Sequence, residues 1–125
     1  MATVRRLLIV DDETAILFAF SQFLKSPSML LETAETPEAA YSLIESRIFD
    51  AALVDLRLTG AERLEGLDIV GVLRQRFPQC VIIVVTAFGG DRIQADIRKA
   101  GADFYFEKPV SPEKIKETLT RAGIY

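Results

Sequence analysis

Five polar residues stand where short, mostly apolar runs of this sequence end. They are Asp11, Asp12, Asp55, Thr86 and Lys108. Three of them are carboxylates, which repel one another at close range unless a cation or protons intervene. Oxygen ligands without His or Cys suit a hard cation, and Mg²⁺ accepts one or two carboxylates, several waters and a phosphate oxygen. The residue types therefore predict a Mg²⁺ site if the fold brings them together.

The other polar residues of this set suit a phosphoryl group. Lys108 is a mobile point charge, Thr86 offers a hydroxyl donor, and the small Ala87 leaves room for an incoming group. A carboxylate beside a divalent metal, a lysine and a hydroxyl is equipped to act as the nucleophile in phosphoryl transfer. It is already ionised and needs no histidine base, and the sequence has no histidine. Catalytic Ser-His-Asp and Cys-His sets are therefore excluded, as is a phosphohistidine on this chain.

Each position also has an ordinary structural explanation. An Asp-Asp pair after a strand is often a helix N-cap, and Asp55 after a strand is more often part of a turn. Thr86 can cap the next turn, and the Lys108-Pro109 dipeptide is usually a solvated turn. None of these explanations predicts that all the positions fall at successive strand ends, so the joint placement favours a site.

The spacing of apolar residues predicts five strands alternating with five helices. Runs 7–10, 51–54 and 81–85 are continuously apolar, which is typical of strands buried on both faces of a parallel sheet, and 30–34 and 104–107 complete the set. Amphipathic helices are predicted over residues 12–25, 37–47, 67–76, 91–100 and from 112 onward. This alternation predicts an α/β fold with helices on both faces of a parallel sheet. Ligands of such sheets bind outside the carboxyl ends of the strands, where the five polar residues stand.

Helix ends and inward faces can be predicted as well. Thr36 and Ser111 are expected N-caps, each followed by proline, and Gly101 is an expected C-terminal cap. The first helix is expected to turn four residues inward: Ile16, Phe20, Phe23 and Leu24. Phe18 then falls on the outer face, where an exposed aromatic is a candidate partner-docking residue. Lateral packing of Phe18 on the last helix is the alternative.

Composition limits the classes of protein that remain. The 125 residues are 50% apolar and 26% charged, which predicts one globular domain over residues 1–125. A net charge of −3 argues against nucleic acid as a direct partner. The only cysteine, Cys80, excludes an internal disulfide and suits a reducing cytosol. No stretch approaches the roughly 20 apolar residues of a membrane span, so we expect a cytoplasmic protein without a membrane partner.

The chain resembles a response regulator receiver domain, the phosphoacceptor module of bacterial two-component signalling. Four segments carry the resemblance: LLIVDDE at 7–13, ALVDL at 52–56, VVTA at 84–87 and AGADFYFEKP at 100–109. It extends from about Arg6 to Ala122. The resemblance implies a flavodoxin-like, doubly wound (βα)5 sandwich whose five-stranded parallel sheet has the order 2-1-3-4-5.

The resemblance also implies roles for the matched residues. Asp55 is the phosphoacceptor. Asp12 directly, and Asp11 partly through water, hold Mg²⁺ together with Asp55 and the backbone carbonyl of Arg57. Mn²⁺ is an acceptable substitute for Mg²⁺ at such a site.

The phosphoryl group itself has its own implied contacts. Thr86, with Ala87 after it, and Lys108 bind the phosphoryl oxygens. Tyr105 matches the family's switch aromatic, which turns inward as Thr86 moves. The Lys108-Pro109 bond corresponds to a cis peptide of the family.

The function implied is that of a phosphorylation-controlled switch. A sensor histidine kinase or a histidine phosphotransfer protein donates the phosphoryl group to Asp55. The face formed by the fourth helix, fifth strand and fifth helix then controls a partner protein or output domain, or forms a homodimer. The chain is expected to be no enzyme beyond accepting and hydrolysing its own phosphoryl group. No output domain is expected within residues 1–125, so the chain is either a single-domain regulator or a receiver from a longer protein.

One segment departs from the family pattern. Thr59 stands where the family usually has proline, and the stretch from Thr59 to Glu65 is longer by about three residues, a change that surface loops tolerate. A harmless insertion is the favoured interpretation. A partner contact through Arg63 and Leu64 is the alternative.

Two further residues are expected to flank the phosphoryl group. Arg57 follows Asp55 by two positions, and Phe88 follows Thr86 by two positions. An arginine there can hold phosphate oxygens and a phenylalanine can exclude attacking water, which together predict a long-lived acyl phosphate. The alternative is that both side chains point into solvent.

Three other functions fit parts of the pattern. A phosphatase of the haloacid dehalogenase class also uses an aspartate nucleophile and Mg²⁺, but it needs Asp-x-Asp after the first strand, where this chain has adjacent Asp11 and Asp12. Nucleotide binding lacks a glycine-rich loop after that strand. A phosphorylation-independent interaction module with a receiver fold stays open, because the segment after Asp55 departs from the family.

Overall fold

The chain folds into a parallel sheet with helices on both faces, as the alternation of apolar runs predicts. The computed structural model describes residues 3–56, 65–87 and 90–125. The five strands are β1 Arg5–Val10, β2 Met29–Ala34, β3 Ala51–Asp55, β4 Val81–Thr86 and β5 Phe104–Glu107. The five helices are α1 Thr14–Leu24, α2 Pro37–Ser46, α3 Glu65–Arg76, α4 Asp91–Ala100 and α5 Pro112–Arg121. All strand pairs are parallel in the order β2-β1-β3-β4-β5, which confirms the predicted fold class.

The continuously apolar strands bury both of their faces. In β1, Leu8 and Val10 belong to a core cluster shared with α2, α3 and α4, whereas Leu7 and Ile9 belong to a second cluster shared with α1 and α5. Because successive side chains of a strand point to opposite faces, one apolar run supplies both clusters. This packing fixes the sheet between two helical layers and aligns the carboxyl ends of its strands along one edge.

The predicted helix caps are present. Thr36 Oγ1 accepts a hydrogen bond from the Ala39 amide at 3.1 Å, and Ser111 Oγ accepts one from the Lys114 amide at 3.1 Å. Gly101 ends α4 with a φ of 118°, a left-handed conformation that favours glycine. Within the described ranges, no helix is long and apolar enough to cross a membrane.

The predicted inward face of α1 is partly wrong. The buried residues of this helix are Leu17, Phe20 and Leu24. Phe23 is 38% exposed and lies under Lys116, whose Nζ is 5.5 Å from the ring centroid, and Ile16 is only half-buried. The stripe that faces the sheet follows the 3-4 spacing through Leu17, and Phe23 falls on its flank toward α5. The helix also begins at Thr14 rather than at residue 12.

Candidate functional site

The carboxyl edge of the sheet brings Lys108 into contact with two of the predicted carboxylates, Asp11 and Asp55. Lys108 Nζ donates to Asp11 Oδ2 at 3.0 Å and to Asp55 Oδ2 at 3.3 Å, across 97 and 53 residues of sequence. Asp11 directly follows β1, Asp55 ends β3, and Lys108 directly follows β5. The strand order alone therefore accounts for the convergence, because β1 and β3 are neighbours and β5 lies two strands away from β3.

Three carboxylates form a compact oxygen cluster at this edge. One oxygen from each of Asp11, Asp12 and Asp55 lies within 4.8 Å of the others. Asp11 and Asp55 are 2% and 5% exposed, whereas Asp12 is exposed to solvent. Such a set of hard oxygen donors, with one open side for water and a phosphate oxygen, fits Mg²⁺. Asp12 and the two buried carboxylates are the residues that could hold it.

The site carries unbalanced negative charge. Although the Asp12 side chain is exposed, partial desolvation beside the cluster raises its pKa, and the neighbouring Asp11 carboxylate raises that pKa further. Burial by itself would lower the pKa of Lys108, but hydrogen bonds and attraction from Asp11 and Asp55 together outweigh burial and raise it. Lys108 is thus firmly cationic, and it also lies 3.7 Å from Glu13 Oε1. One lysine therefore serves several carboxylates, and the remaining negative charge favours an added cation.

Backbone hydrogen bonds hold the acidic residues in place. Asp11 Oδ1 accepts from the Glu13 amide at 2.9 Å, at the amino-terminal end of α1. The N-cap of α1 is Glu13 and it makes no side-chain cap hydrogen bond, so the capping explanation for the Asp-Asp pair is wrong. The Asp11 contact is an Asx turn that precedes the helix, and the other Asp11 oxygen reaches Lys108. The Lys108 amide donates to the Thr86 carbonyl at 2.8 Å, which ties the end of β5 to the end of β4. Thr86 itself is fully buried.

Gly66 packs against the backbone that carries Asp55, a contact that the sequence pattern did not predict. A Cβ on Gly66 would lie 2.5 Å from the Asp55 carbonyl oxygen and 2.7 Å from Leu56 Cα. The Gly66 amide donates to the Leu56 carbonyl at 3.0 Å. The first turn of α3 therefore packs directly on the backbone that carries Asp55, and only glycine fits there. A glycine at the start of a helix that follows an acidic strand end was the available signal.

A cavity of about 480 Å³ opens beside the acidic cluster. Its walls are mostly apolar side chains of α1 and of β1, β3 and β4, and Asp11, Lys108 and Ala87 lie along it. Ala87 is exposed to solvent. The cavity places an accessible apolar wall directly against the charged site.

Tyr105 lies on β5, half-buried against the α4 side of the core. Its hydroxyl donates to Glu107 Oε1 at 3.3 Å. Burial, followed by the Glu107 carboxylate, raises the pKa of Tyr105. The ring thus stands beside α4 and one strand from Thr86. The Lys108-Pro109 peptide bond is cis in this structure.

The remaining predicted residues divide into two groups. Phe18 is 68% exposed on α1, on the outer face where the sequence places it. Arg57 and Phe88, together with the segment 59–64 that contains Arg63 and Leu64, lie outside the described residues. Glu13 also lies at the site, because its Oε1 is 3.7 Å from Lys108 Nζ. The sequence pattern did not predict this contact.

Comparison with known proteins identifies the family. The sequence profile described as "Response regulator receiver domain" matches residues 7–120. The chain therefore belongs to the receiver domains of response regulators, the signalling modules of two-component systems. The resemblance carried by the four motif segments is confirmed.

Curated relatives agree with this family. The alginate biosynthesis transcriptional regulatory protein AlgB of Pseudomonas aeruginosa is 35% identical over 111 residues, which cover 89% of this chain and 24% of AlgB. The photosynthetic apparatus regulatory protein RegA of Cereibacter sphaeroides is 34% identical, covering 95% of this chain and 63% of RegA. A cyclic di-GMP phosphodiesterase of Thermotoga maritima is 36% identical, covering 92% of this chain and 30% of that protein. The chain thus spans less than two thirds of the length of each.

Solved structures share the fold over nearly the whole chain. A CheY-like receiver domain protein from Methanospirillum hungatei has a TM-score of 0.82 and 34% identity, with 97% of this chain and 98% of that chain covered. A response regulator from Burkholderia pseudomallei, solved with a phosphorylated aspartic acid, calcium ion and citrate, has a TM-score of 0.83 and 26% identity. That match covers 95% of this chain and 69% of the other.

Proposed function

We propose that this receiver domain accepts a phosphoryl group on Asp55 from the phosphohistidine of a sensor histidine kinase or a histidine phosphotransfer protein. The observation that carries the proposal is the position of Lys108 Nζ, 3.0 Å from Asp11 and 3.3 Å from Asp55. A cation at this distance from Asp55 supports the proposal, because it could bind the oxygens of a phosphoryl group on that carboxylate. The acidic cluster beside Lys108 offers oxygen ligands for the divalent metal ion that would assist the transfer.

The transfer needs no proton acceptor on this chain. A carboxylate oxygen of Asp55 forms a bond to phosphorus while the bond between phosphorus and the donor's imidazole nitrogen breaks, and that nitrogen keeps the electron pair. Lys108 shifts its hydrogen bond from the carboxylate to a phosphoryl oxygen, and Thr86 offers its hydroxyl to another. Mg²⁺, or Mn²⁺ in its place, held by Asp11, Asp12 and Asp55, would neutralise charge that builds up on the phosphoryl oxygens.

Thr86 and Tyr105 would carry the signal outward from the site. They lie at the carboxyl end of β4 and on the neighbouring β5, and Tyr105 packs beside α4. Phosphorylation biases an existing equilibrium between two arrangements of the face formed by α4, β5 and α5. This face would contact a partner, an output domain or a second copy. Hydrolysis of its own acyl phosphate is the only turnover that we assign to the chain.

The donor protein would dock across α1. Phe18 is 68% exposed there, so its ring is open to contact by a partner, and aromatic side chains are frequent anchors of protein interfaces. The apolar cavity beside Lys108 opens next to the same helix, since Ile16 and Phe20 of α1 form part of its wall. Replacing Phe18 by Ala should slow phosphotransfer from the cognate kinase without changing phosphorylation by a small-molecule donor.

The decisive experiment is intact-mass spectrometry after incubation with Mg²⁺ and acetyl phosphate. The native chain should gain one phosphoryl group, and Asp55→Asn should gain none. Asp96→Asn, at an exposed position on α4, is the matched control and should behave as the native chain. A folded native chain that gains nothing from acetyl phosphate or from a panel of phosphorylated kinases would contradict the proposal and favour a phosphorylation-independent interaction module.

A further inference from the structure

Arg74 of α3 makes a hydrogen-bonded clamp far from the acidic site. Its five N–H donors all have acceptors, which is the full capacity of a guanidinium. Nε and Nη2 donate to the Gly101 carbonyl at 3.0 and 2.8 Å, and Nη1 donates to the carbonyls of Pro78 and Cys80 at 2.8 Å each. Nη2 also donates to Asp103 Oδ2 at 2.7 Å. A single side chain of α3 thus contacts the carboxyl end of α4 and the residues that immediately precede β4 and β5.

The clamp extends through Asp103 into the sheet. Asp103 Oδ2 also accepts from the Ile82 amide at 2.8 Å, and the Asp103 amide donates to the Ile82 carbonyl at 2.8 Å. Gly101 is required beside it, because its φ is 118° and a Cβ there would lie 2.8 Å from Arg74 Cγ. The guanidinium also neutralises the partial negative charge at the carboxyl end of α4. The carboxyl end of α4 is therefore fixed to β4.

The amino-terminal end of α4 has no comparable attachment. Its N-cap is Gly90, a residue without a side chain to cap the helix, and a Cβ there would meet nothing within 4 Å. In the described part of the chain, residues 90–94 make no hydrogen bond to another element. Ile97, in the second half, is the fully buried residue of α4, whereas Ile93, in the first half, is half-buried.

We propose that Arg74 is the pivot of the receiver's response: it holds the carboxyl end of α4, so that movement upon phosphorylation is confined to the amino-terminal half of that helix. The proposal rests on the proposed function, because it assumes that phosphorylation of Asp55 moves α4. It adds a positioning residue that touches neither the phosphoryl group nor the metal cluster. The proposal also implies that the amplitude of the movement decreases along α4 from Gly90 to Gly101.

Amide hydrogen exchange, resolved by residue with NMR, tests the pivot on the full chain with and without acetyl phosphate and Mg²⁺. In the native chain, phosphorylation should change exchange at residues 94–96 and leave Gly101, Ala102 and Asp103 unchanged. In Arg74→Gln, exchange at these three amides should be roughly tenfold faster even without phosphate, because charge-assisted hydrogen bonds are lost. Phosphorylation should then change exchange along the whole helix.

Two further variants keep the test sharp. Arg76→Gln is the matched control, because Arg76 lies two residues away on α3 and donates to the Glu45 carbonyl instead. It should leave exchange in α4 as in the native chain. Asp103→Asn keeps an acceptor oxygen but removes the carboxylate charge, so it weakens one contact of the clamp and should produce a smaller loss of protection at the same amides.

The outcomes separate the pivot from the proposed function. Intact mass of the same samples reports phosphorylation, so a native chain that gains no phosphoryl group contradicts the proposed function. The clamp is then still judged in the unphosphorylated samples, where equal exchange in the native chain and in Arg74→Gln would overturn it. In phosphorylated samples, equal changes at both ends of α4 in the native chain would also overturn it.

Discussion

Two cationic side chains of the molecule, Lys108 and Arg74, make different kinds of contact. At the carboxyl edge of the sheet, Lys108 is a single point charge shared among Asp11, Asp55 and, at longer range, Glu13. At the far end of α4, Arg74 commits every donor it has, mostly to backbone carbonyls. A lysine can exchange one oxygen partner for another at little cost, whereas a forked guanidinium holds a fixed geometry.

This difference shows how a small domain can combine a site whose contacts can change, at Lys108, with a fixed attachment, at Arg74. The lysine lies where a phosphoryl group would arrive and where partners have to change. The arginine lies where α4 has to stay attached to the sheet. Four substitutions test this contrast, in decreasing order of the expected effect on stability: Lys108→Met, Arg74→Met, Gly66→Ala and Cys80→Ala.

Lys108→Met should destabilise the chain by about 4 kcal/mol in the absence of divalent cations, because two buried carboxylates lose their cation. Added Mg²⁺ should restore part of the loss, since a metal can replace the missing charge. Urea unfolding in chelator and in Mg²⁺ measures both effects. A midpoint in chelator equal to that of the native chain would show that Lys108 is not needed to balance Asp11 and Asp55.

Arg74→Met should destabilise the chain by about 3 kcal/mol, because the partly buried carbonyls of Gly101 and Cys80 and the Asp103 carboxylate lose their donors. Mg²⁺ should leave this loss unchanged, in contrast to Lys108→Met. Arg74→Lys should recover only part of it, since an ammonium group cannot reach all the acceptors at once. The same urea series measures the three values, and full recovery in Arg74→Lys would contradict the claim that the forked geometry matters.

Gly66→Ala should destabilise the chain by about 2 kcal/mol, because the added Cβ overlaps the backbone of Asp55 and Leu56. It should also slow phosphorylation by acetyl phosphate, since the Asp55 backbone must shift. Gly71→Ala is the matched control on α3, where a Cβ meets nothing within 4 Å. Replacing glycine within a helix should there be neutral or mildly stabilising. Equal effects of the two substitutions would refute the close approach.

Alkaline pH should weaken the region around the clamp through Cys80. Burial raises the pKa of the Cys80 thiol to about 12, from 9.0 for an unperturbed thiol. Between these values the unfolded chain releases a proton that the native chain keeps, so stability falls as pH rises from 9 toward 12. The Cys80 contribution to this fall should be about 1 kcal/mol by pH 10. Unfolding at pH 8 and pH 10 should therefore differ less in Cys80→Ala than in the native chain, and equal differences would contradict the assignment.

Much of the fold and site can be predicted from local patterns. Continuously apolar runs predict strands buried on both faces, and the helix caps at Thr36 and Ser111 follow from their side chains and the prolines after them. In a parallel sheet, all carboxyl ends meet at one edge. The meeting of Asp11, Asp55 and Lys108 therefore follows from strand assignment without any knowledge of side-chain packing.

Features that depend on packing between distant segments could not be predicted in this way. Periodicity alone assigned Phe23 to the core, whereas the stripe that faces the sheet runs through Leu17. Nothing local distinguishes Arg74 from Arg76, since both are arginines near the end of one helix. Their roles differ because Arg74 points toward the end of α4 and Arg76 toward α2.

Residue types and the period of apolar residues are enough to predict the class of fold, the family and the residues that meet at the carboxyl edge. The tight packing of α3 against Asp55 at Gly66, and the attachment of one end of α4, became visible only in the folded chain. Those features arise from distances of a few ångströms between segments far apart in sequence, and such distances are set by the packing of the whole core.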